Sequence, residues 1–333
     1  MKKMILMLVA AIVCATATYA QSSMLATLSH EGTISTYYGS SALKDAYAAA
    51  VDGDVITLSS GSFTATNITK GITIRGAGMG IDAQTKSDPT ILTGDFTINI
   101  PAESTGRLTL EGISHNEKLT INGTFNNGTF IKSRFYNIYG WDAESITNLT
   151  MIHCRVAFEF NMSRNYGKNS GSIVNSIICD LRNAKNIDIV NSVLTVNRTS
   201  NGFSSIGSSL SLKNCILYSK YGGQLDGTNT VYNCVGNQTG TFGNIHNGTN
   251  KVAEMASIFK TFTGTYADDE MFELTDEAKT TYLGLDGTQI GIHGGNMPFS
   301  STPSNPQITK CNVAAKSTAD GKLSVDITVS GAE

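Results

Sequence analysis

One short phrase, repeated along the middle of the chain, constrains the fold more than any other feature of the sequence. It has the form apolar–x–Asn–Ser/Cys–x–apolar. Its copies begin at Phe130, Met151, Ile173, Ile189, Leu212 and Val231, the first two being looser. A phrase of strand-forming residues that recurs about every 20 residues is typical of a solenoid, in which each repeat forms one coil. The sequence therefore predicts stacked short strands in an all-β architecture.

The position before the small residue of each copy predicts a corner between two strands. Upstream, the same apolar spacing recurs with glycine at this position. The eight positions, which we call the corner column, are Gly76, Gly112, Lys132, His153, Asn175, Asn191, Asn214 and Asn233. Glycine adopts positive φ freely, and Asn and His do so more often than other residues. We therefore expect left-handed corners, with Lys132 as the exception, and asparagine amides that bond the amides above and below them.

The same corner determines which residues point into the coil. The small residue, the residue three before it and the residue two after it are expected to point inward. The residue directly after the small one should point outward. These outward positions, the outer stripe, are Arg134, Arg155, Ile177, Val193, Ile216 and Val235. Because a long exposed apolar stripe marks a covered or binding surface, we predict that a loop or the C-terminal tail covers it.

The first twenty residues predict export. Lys2 and Lys3 precede a short apolar run, and the segment ends at Ala20, which is typical of a cleaved signal peptide. Acylation of Cys14 is the less favoured alternative, since Val13 precedes it. We expect the mature protein in the periplasm, on the cell surface or in the medium, without a transmembrane segment.

The segments flanking the repeats predict a cap and a tail. Residues 41–51 predict a short amphipathic helix with Ser41 as its N-cap, preceded by a leading strand. Alternating apolar residues around a turn at 319–322 predict a β-hairpin, which is marginal unless it docks on something. The expected boundaries are a signal peptide at 1–20, a solenoid at 21–299, a linker at 300–306 and a hairpin tail at 307–333.

The cap region resembles a known superfamily. The residues that carry the likeness are Ala46, Ala49, Gly53, Asp54, Ile56, Leu58, Gly61 and Phe63. Their order is similar to the N-terminal cap of right-handed parallel β-helix proteins of the pectin-lyase-like superfamily. Residues 284–295 resemble the closing coil of exported β-helix proteins from Bacteroidetes-type bacteria. The resemblance implies a right-handed parallel β-helix of about ten coils, with a helix plugging its first coil.

Composition limits the choice of partner and of cross-links. Charged residues make up 15% of the chain and the net charge is −3, which argues against a nucleic-acid partner. Cys154, Cys215 and Cys234 occupy the repeated small position. Neighbouring coils would bring Cys215 and Cys234 within disulfide range, whereas the favoured interpretation is a column of buried free thiols.

Candidate binding residues cluster between 134 and 155. Arg134 and Arg155, on adjacent coils, could hold an anionic group, and Tyr136, Tyr139 and Trp141 could stack on sugar faces. Packing of these rings under a loop is the alternative interpretation. We assign a catalytic role to no residue of the sequence.

The densest acidic run is the one candidate for a metal. Asp268, Asp269 and Glu270 could bind calcium, which prefers carboxylate and carbonyl oxygens. A solvated loop is the favoured alternative, so we expect no cofactor.

The functional prediction is an exported, non-catalytic protein that presents a long surface to a glycan or to a cell surface, in an adhesin-like or structural role. The rival is a polysaccharide lyase or glycoside hydrolase that acts on an acidic polysaccharide. The Asn-Thr-Asp, Gly-His-Gly and Arg-Ile-Lys motifs of polygalacturonase-like members do not occur in the sequence. The oligomeric state is left open.

Overall fold

A parallel β-solenoid of about eight turns forms the body of the protein, and only 9% of the chain is helical. The computed structural model describes residues 24–80, 88–165, 168–198, 200–243, 248–262, 270–304, 306–313, 316–317 and 320–330. The predicted signal peptide and the acidic residues Asp268 and Asp269 lie outside them. Within them, no helix is long and apolar enough to cross a membrane.

Two long sheets run along the solenoid. The first sheet contains β1 (Leu25–His30), β2 (Thr33–Tyr38), β3 (Val55–Leu58), β5 (Thr73–Arg75), β8 (Thr109–Glu111), β10 (Thr124–Asn126), β11 (Thr129–Ile131), β13 (Ser145–Ile152), β15 (Asn169–Val174), β19 (Ile187–Val190), β22 (Ser211–Lys213) and β24 (Thr230–Tyr232). The second sheet contains β4 (Gly61–Thr64), β6 (Thr90–Thr93), β7 (Phe96–Ile98), β9 (Ile113–Ile121), β12 (Arg134–Tyr139), β14 (Arg155–Asn161), β16 (Ile177–Cys179), β17 (Leu181–Arg182), β20 (Val193–Val196), β23 (Ile216–Ser219), β25 (Val235–Gly236) and β26 (Lys251–Val252).

Smaller elements complete the structure. They are the parallel pair β18 (Ala184–Lys185) and β21 (Gly207–Ser208), a 3-10 turn (Gly202–Ser205), the antiparallel hairpin β27 (Gln307–Val313) and β28 (Val325–Ser330), and the helices α1 (Ala42–Ala49), α2 (Met255–Ile258) and α3 (Asp276–Thr281).

The register of the strands follows the repeated phrase. Ile173 pairs with Ile189, Ile189 with Leu212, and Leu212 with Val231, all in parallel. The long gap between β5 and β8 does not hold an additional coil, because these two strands pair directly. After β26 the chain leaves the solenoid, so the turns number somewhat fewer than the expected ten.

The corner column is left-handed, as predicted, at seven of its eight positions. Positive φ occurs at Gly112, Lys132, His153, Asn175, Asn191, Asn214 and Asn233, between 43° and 64°. Lys132, the expected exception, therefore follows the rule. Gly76 does not have positive φ. A Cβ there would lie 2.4 Å from the carbonyl oxygen of Gly112, so close packing of the backbones explains this glycine.

A ladder of hydrogen bonds runs along the small inward position, whereas the predicted bonds between the corner asparagines are not formed. The backbone N–H of Cys154 donates to Ser176 Oγ at 3.0 Å, and that of Ser176 donates to Ser192 Oγ at 3.1 Å. The Cys215 N–H lies 3.4 Å from Cys234 Sγ. Ser and Cys recur because the position is fully buried and needs a small side chain that can accept and donate a hydrogen bond.

The N-terminal end is closed by a hairpin and a helix. Strands β1 and β2 are antiparallel, and β1 also pairs with β3, so the expected leading strand is in fact two strands. Helix α1 buries Leu43, Ala46 and Tyr47 against the first coil. Ser41 stands at the N-cap position, although its side chain makes no capping hydrogen bond.

The C-terminal residues cover the outer stripe, as predicted. Its apolar members Ile177, Val193, Ile216 and Val235 are fully or almost fully buried. They form one cluster with Met255, Ile258, Phe259, Phe272, Leu274, Ala278, Ile290, Ile292 and Phe299. The segment that resembled a closing coil is therefore an external cover.

The last part of this cover, residues 283–304, runs back along the corner column, and we call it the strap. Asn233 Nδ2 donates to the Leu283 carbonyl at 3.2 Å. Asn214 Oδ1 accepts from Leu285 N at 2.9 Å, and Asn175 Nδ2 donates to the Ile292 and Gly294 carbonyls at 2.8 Å each. His153 Nε2 lies 3.0 Å from the Met297 carbonyl. Three of the four amides that we expected to bond one another are thus used to hold the strap.

The cysteines at the small position are free thiols. Cys154, Cys215 and Cys234 are buried and not in disulfides, and the same holds for Cys179 outside this position. Burial raises the pKa of the Cys154 thiol to about 12. The structure therefore agrees with the favoured interpretation and not with a Cys215–Cys234 bridge.

Candidate functional site

A cavity of about 640 Å³ opens on the side of the solenoid where strands of the second sheet end. It is lined by Tyr139, Trp141, Asn161, Arg182, Asn183, Asn201, Ser204, Ser205, Gly207, Ser208 and Asp226. These residues come from five consecutive coils, which begin at β11, β13, β15, β19 and β22. Since neighbouring strands lie about 4.8 Å apart, four steps span about 19 Å. The cavity therefore suits an extended ligand.

Strand register brings the first lining residues together. Tyr139, at the end of β12, pairs with Asn161 at the end of β14. Asn161 in turn pairs with Arg182 at the end of β17. Gly140 follows Tyr139, and a Cβ there would lie 2.5 Å from Ile146 Cδ1, so the chain passes close to the core as it leads to Trp141. The tightly packed backbone at Gly140 thus forms the end of the cavity that carries Tyr139 and Trp141.

A polar network holds the amides in the middle of the cavity. Asn183 Nδ2 donates to Asn161 Oδ1 at 2.7 Å, and Asn161 Nδ2 donates to Glu159 Oε1 at 3.0 Å. Arg182 Nε lies 3.8 Å from the same Glu159 oxygen, too far for a good hydrogen bond. The Arg182 side chain is 30% exposed and lines the cavity.

The opposite end of the cavity carries a carboxylate. Asp226 Oδ1 accepts hydrogen bonds from the Thr228 N–H at 2.9 Å and from the Thr228 hydroxyl. These two bonds lower the pKa of Asp226 below its ordinary value, so the group stays ionised at neutral pH. Its free oxygen can accept a hydrogen bond but has no proton to give.

The structure separates the predicted binding residues into two groups. Tyr139 and Trp141 line the cavity, whereas Tyr136 stacks on Phe158 outside it, with ring centres 4.9 Å apart. Arg134 bonds Asn116 Oδ1. Neither Tyr136 nor Arg134 belongs to the lining of the cavity.

Arg155 is not at the surface. It is fully buried under the C-terminal cover, where its Nη1 donates to the Glu270 carbonyl at 2.8 Å. Its place on the outer stripe was predicted correctly, but the cover makes it inaccessible. A role in binding an external ligand is therefore wrong for Arg155.

The predicted calcium site receives no support from the part of the chain that can be placed. The Glu270 carboxylate accepts hydrogen bonds from the Thr261 hydroxyl at 2.9 Å and from the Phe272 N–H at 3.0 Å. Asp268 and Asp269 lie outside the described residues. Among the residues that are placed, no group of three or more His, Cys, Asp or Glu is arranged to hold a metal ion.

Sequence reasoning missed most of the cavity. Asn161, Arg182 and Asn183 lie beyond the repeated phrase of their coils. Strand pairing aligns Asn161 with Tyr139 and Arg182 with Asn161. No protein-family model, curated protein or solved structure matches the chain. A proposal for the function therefore depends on the residues that line the cavity.

Proposed function

We propose that the protein is an exported, non-catalytic glycan-binding protein whose ligand lies along the five-coil cavity. The observation that carries the proposal is the combination of Trp141 and Tyr139 at one end with a row of amide, hydroxyl and guanidinium groups along the length. This cavity is where extended shape, aromatic surface and convergent polar groups coincide.

The chemistry of the lining matches that of sugars. A pyranose has an apolar face of C–H groups and a rim of hydroxyls. An indole or phenol ring offers a flat apolar surface for that face and keeps a polar group for hydrogen bonding. The amides of Asn161 and Asn183 each offer donors and an acceptor, as hydroxyls require. Their network fixes their orientation before a ligand arrives, which lowers the entropic cost of binding.

The carboxylate at the far end supports binding over hydrolysis. Glycoside hydrolysis normally uses two carboxyl groups on either side of the scissile bond, one of them with a raised pKa. Asp226 is the carboxylate of the described lining, and its pKa is lowered by Thr228. The Arg134–Arg155 pair that would have favoured a lyase is divided, since Arg155 is buried.

The location and ancestry form part of the same proposal. The apolar segment that follows Lys2 and Lys3 and ends at Ala20 supports export. Outside the cell, the side of the solenoid that carries the cavity would be accessible to a glycan. The cap residues, among them Ala46 and Gly53, favour kinship with the pectin-lyase-like superfamily.

The proposal is tested by a glycan array followed by calorimetric titration of the strongest oligosaccharide. Replacing Trp141 with Ala should weaken binding by about 30-fold or more, because a buried aromatic anchor typically contributes about 2 kcal/mol or more. Trp141→Phe should retain most of the affinity, which separates ring stacking from misfolding. The matched control is Tyr136→Ala, which removes an exposed ring outside the cavity. Equal loss in the Trp141→Ala and Tyr136→Ala variants, or no binding to any glycan, would overturn the proposal.

A further inference from the structure

The N-terminal edge of the first sheet is open. Strand β2 is the terminal strand of that sheet, and its six residues pair only with β1 within the part of the chain that the structure describes. Five of the six are exposed. An open edge of this length offers a row of backbone N–H and C=O groups to a further strand.

Strand β2 lacks the features that usually protect an edge. Natural edges are blunted by charged residues, by proline, by bulges or by short length. The sequence from Thr33 to Tyr38 contains no charged residue and no proline, and its pairing with β1 has no register shift. The terminal strand of the second sheet has two of these protective features, since β26 is only two residues long and begins with Lys251.

The exposed side chains on β2 are also unusual. Ile34 is 69% exposed and Tyr38 is 66% exposed, which makes them the most exposed large apolar side chains among the placed residues. They lie on one face of the strand with Thr36, because side chains alternate. Tyr37, on the opposite face, packs against the core.

We propose that a second copy of this chain adds to the open edge, with the two β2 strands antiparallel across a twofold axis. Thr36 of one copy lies opposite Thr36 of the other. Ile34 of each copy then lies opposite Tyr38 of its partner. The first sheet continues without interruption from one solenoid into the next.

The register follows from symmetry and from the alternation of side chains. A twofold axis perpendicular to the sheet keeps the outer face of one copy beside the outer face of the other, so Ile34, Thr36 and Tyr38 must oppose one another. Among these pairings, only the one centred on Thr36 matches all three residues and brings each isoleucine against a tyrosine. Pairs of a β-branched and an aromatic side chain are favourable across antiparallel strands.

The absence of charge in β2 favours a second copy over a partner of another kind. A twofold axis places like residues near one another, and like charges directly opposite would repel. An uncharged strand avoids this cost. Since a single pair of strands buries less surface than a stable interface, the dimer is a weak one whose population rises with concentration.

Sedimentation velocity over a range of protein concentrations tests the association. The parent protein should shift from monomer to dimer, and Thr36→Lys should raise the dissociation constant about tenfold or more by placing two lysines face to face. Leu285→Lys is the matched control, because Leu285 is 62% exposed on the strap. A parent protein that stays monomeric, or a dimer that survives Thr36→Lys, would overturn the inference.

Cysteine cross-linking tests the register. Directly opposed Cα atoms lie about 4.5–5.5 Å apart, which suits a disulfide. Thr36→Cys should therefore form disulfide-linked dimers above the background of the parent protein. Ser35→Cys, whose two copies are not opposed in this register, should not. Equal cross-linking by both variants would refute the register. Neither result depends on glycan binding, so this inference and the proposed function fail separately.

Discussion

Asn175→Ala tests whether the corner column holds the strap. The side chain of Asn175 is buried, and its Nδ2 donates to the carbonyls of Ile292 and Gly294 at 2.8 Å each. Alanine removes both hydrogen bonds. The Gly294 carbonyl loses its donor, whereas the Ile292 carbonyl keeps the bond that it accepts from Phe299 N–H. The backbone at this position also has φ of 43°, which disfavours alanine.

The expected loss can be divided between these two causes. The Gly294 carbonyl becomes an unsatisfied buried acceptor, which costs about 1–3 kcal/mol. The Ile292 carbonyl still accepts from Phe299 N–H, so its loss is that of one ordinary hydrogen bond, about 0.5–1.5 kcal/mol. The left-handed backbone adds about 1–2 kcal/mol. Asn127→Ala is the matched control. Asn127 has φ of 58°, and its side-chain oxygen faces Arg107 at the surface at 3.4 Å. The control should therefore show little more than the backbone cost.

Two measurements separate the outcomes. Urea unfolding should show that Asn175→Ala loses about 1.5–4.5 kcal/mol more of the free energy of unfolding than Asn127→Ala does. Amide hydrogen exchange should show faster exchange of Gly291 and Phe299, whose N–H groups bond Asn214 and Ile292. Equal loss in the two variants, with unchanged exchange at both amides, would show that the corner amides do not hold the strap.

Three further outcomes follow from buried polar groups. Ser176→Ala should cost about 1–3 kcal/mol of unfolding free energy in urea titrations because Cys154 N–H loses its acceptor, whereas Ser176→Cys should cost less. Burial lowers the pKa of His115 and His153. The unfolded chain therefore binds more protons than the folded protein below pH 6.5. The urea concentration at the unfolding midpoint should decrease as the pH is lowered from 7.5 to 5.5, and the decrease should be smaller in His153→Gln. Cys154 and Cys179, with thiol pKa about 12, should resist iodoacetamide until urea unfolds the protein, as measured by mass spectrometry of digests.

The sequence predicted the fold because its repeats are local and periodic. The small residue and its apolar neighbours recur with the coil, so their inward direction could be inferred without any long-range information. The burial of the outer stripe was also predictable, since Ile177, Val193, Ile216 and Val235 form a longer apolar line than water tolerates.

The site could not be predicted to the same extent, because it depends on contacts between distant residues. Arg134 and Arg155 occupy equivalent positions on adjacent coils, yet the cover buries only the second. The partners of Asn175 lie more than 100 residues along the chain, so its role in holding the strap had no local signal. Tyr139 and Trp141 were found through residue type alone.

The central claim is that a glycan lies along the cavity without being cleaved, and a crystal structure with the strongest-binding oligosaccharide tests it most directly. We expect one sugar ring against Trp141, the chain running across the coils toward Asp226, and hydroxyls bonded to Asn161, Asn183 and Arg182. An intact oligosaccharide in that position would support the account. A ligand bound on another surface, or a cleaved product in the cavity, would contradict it.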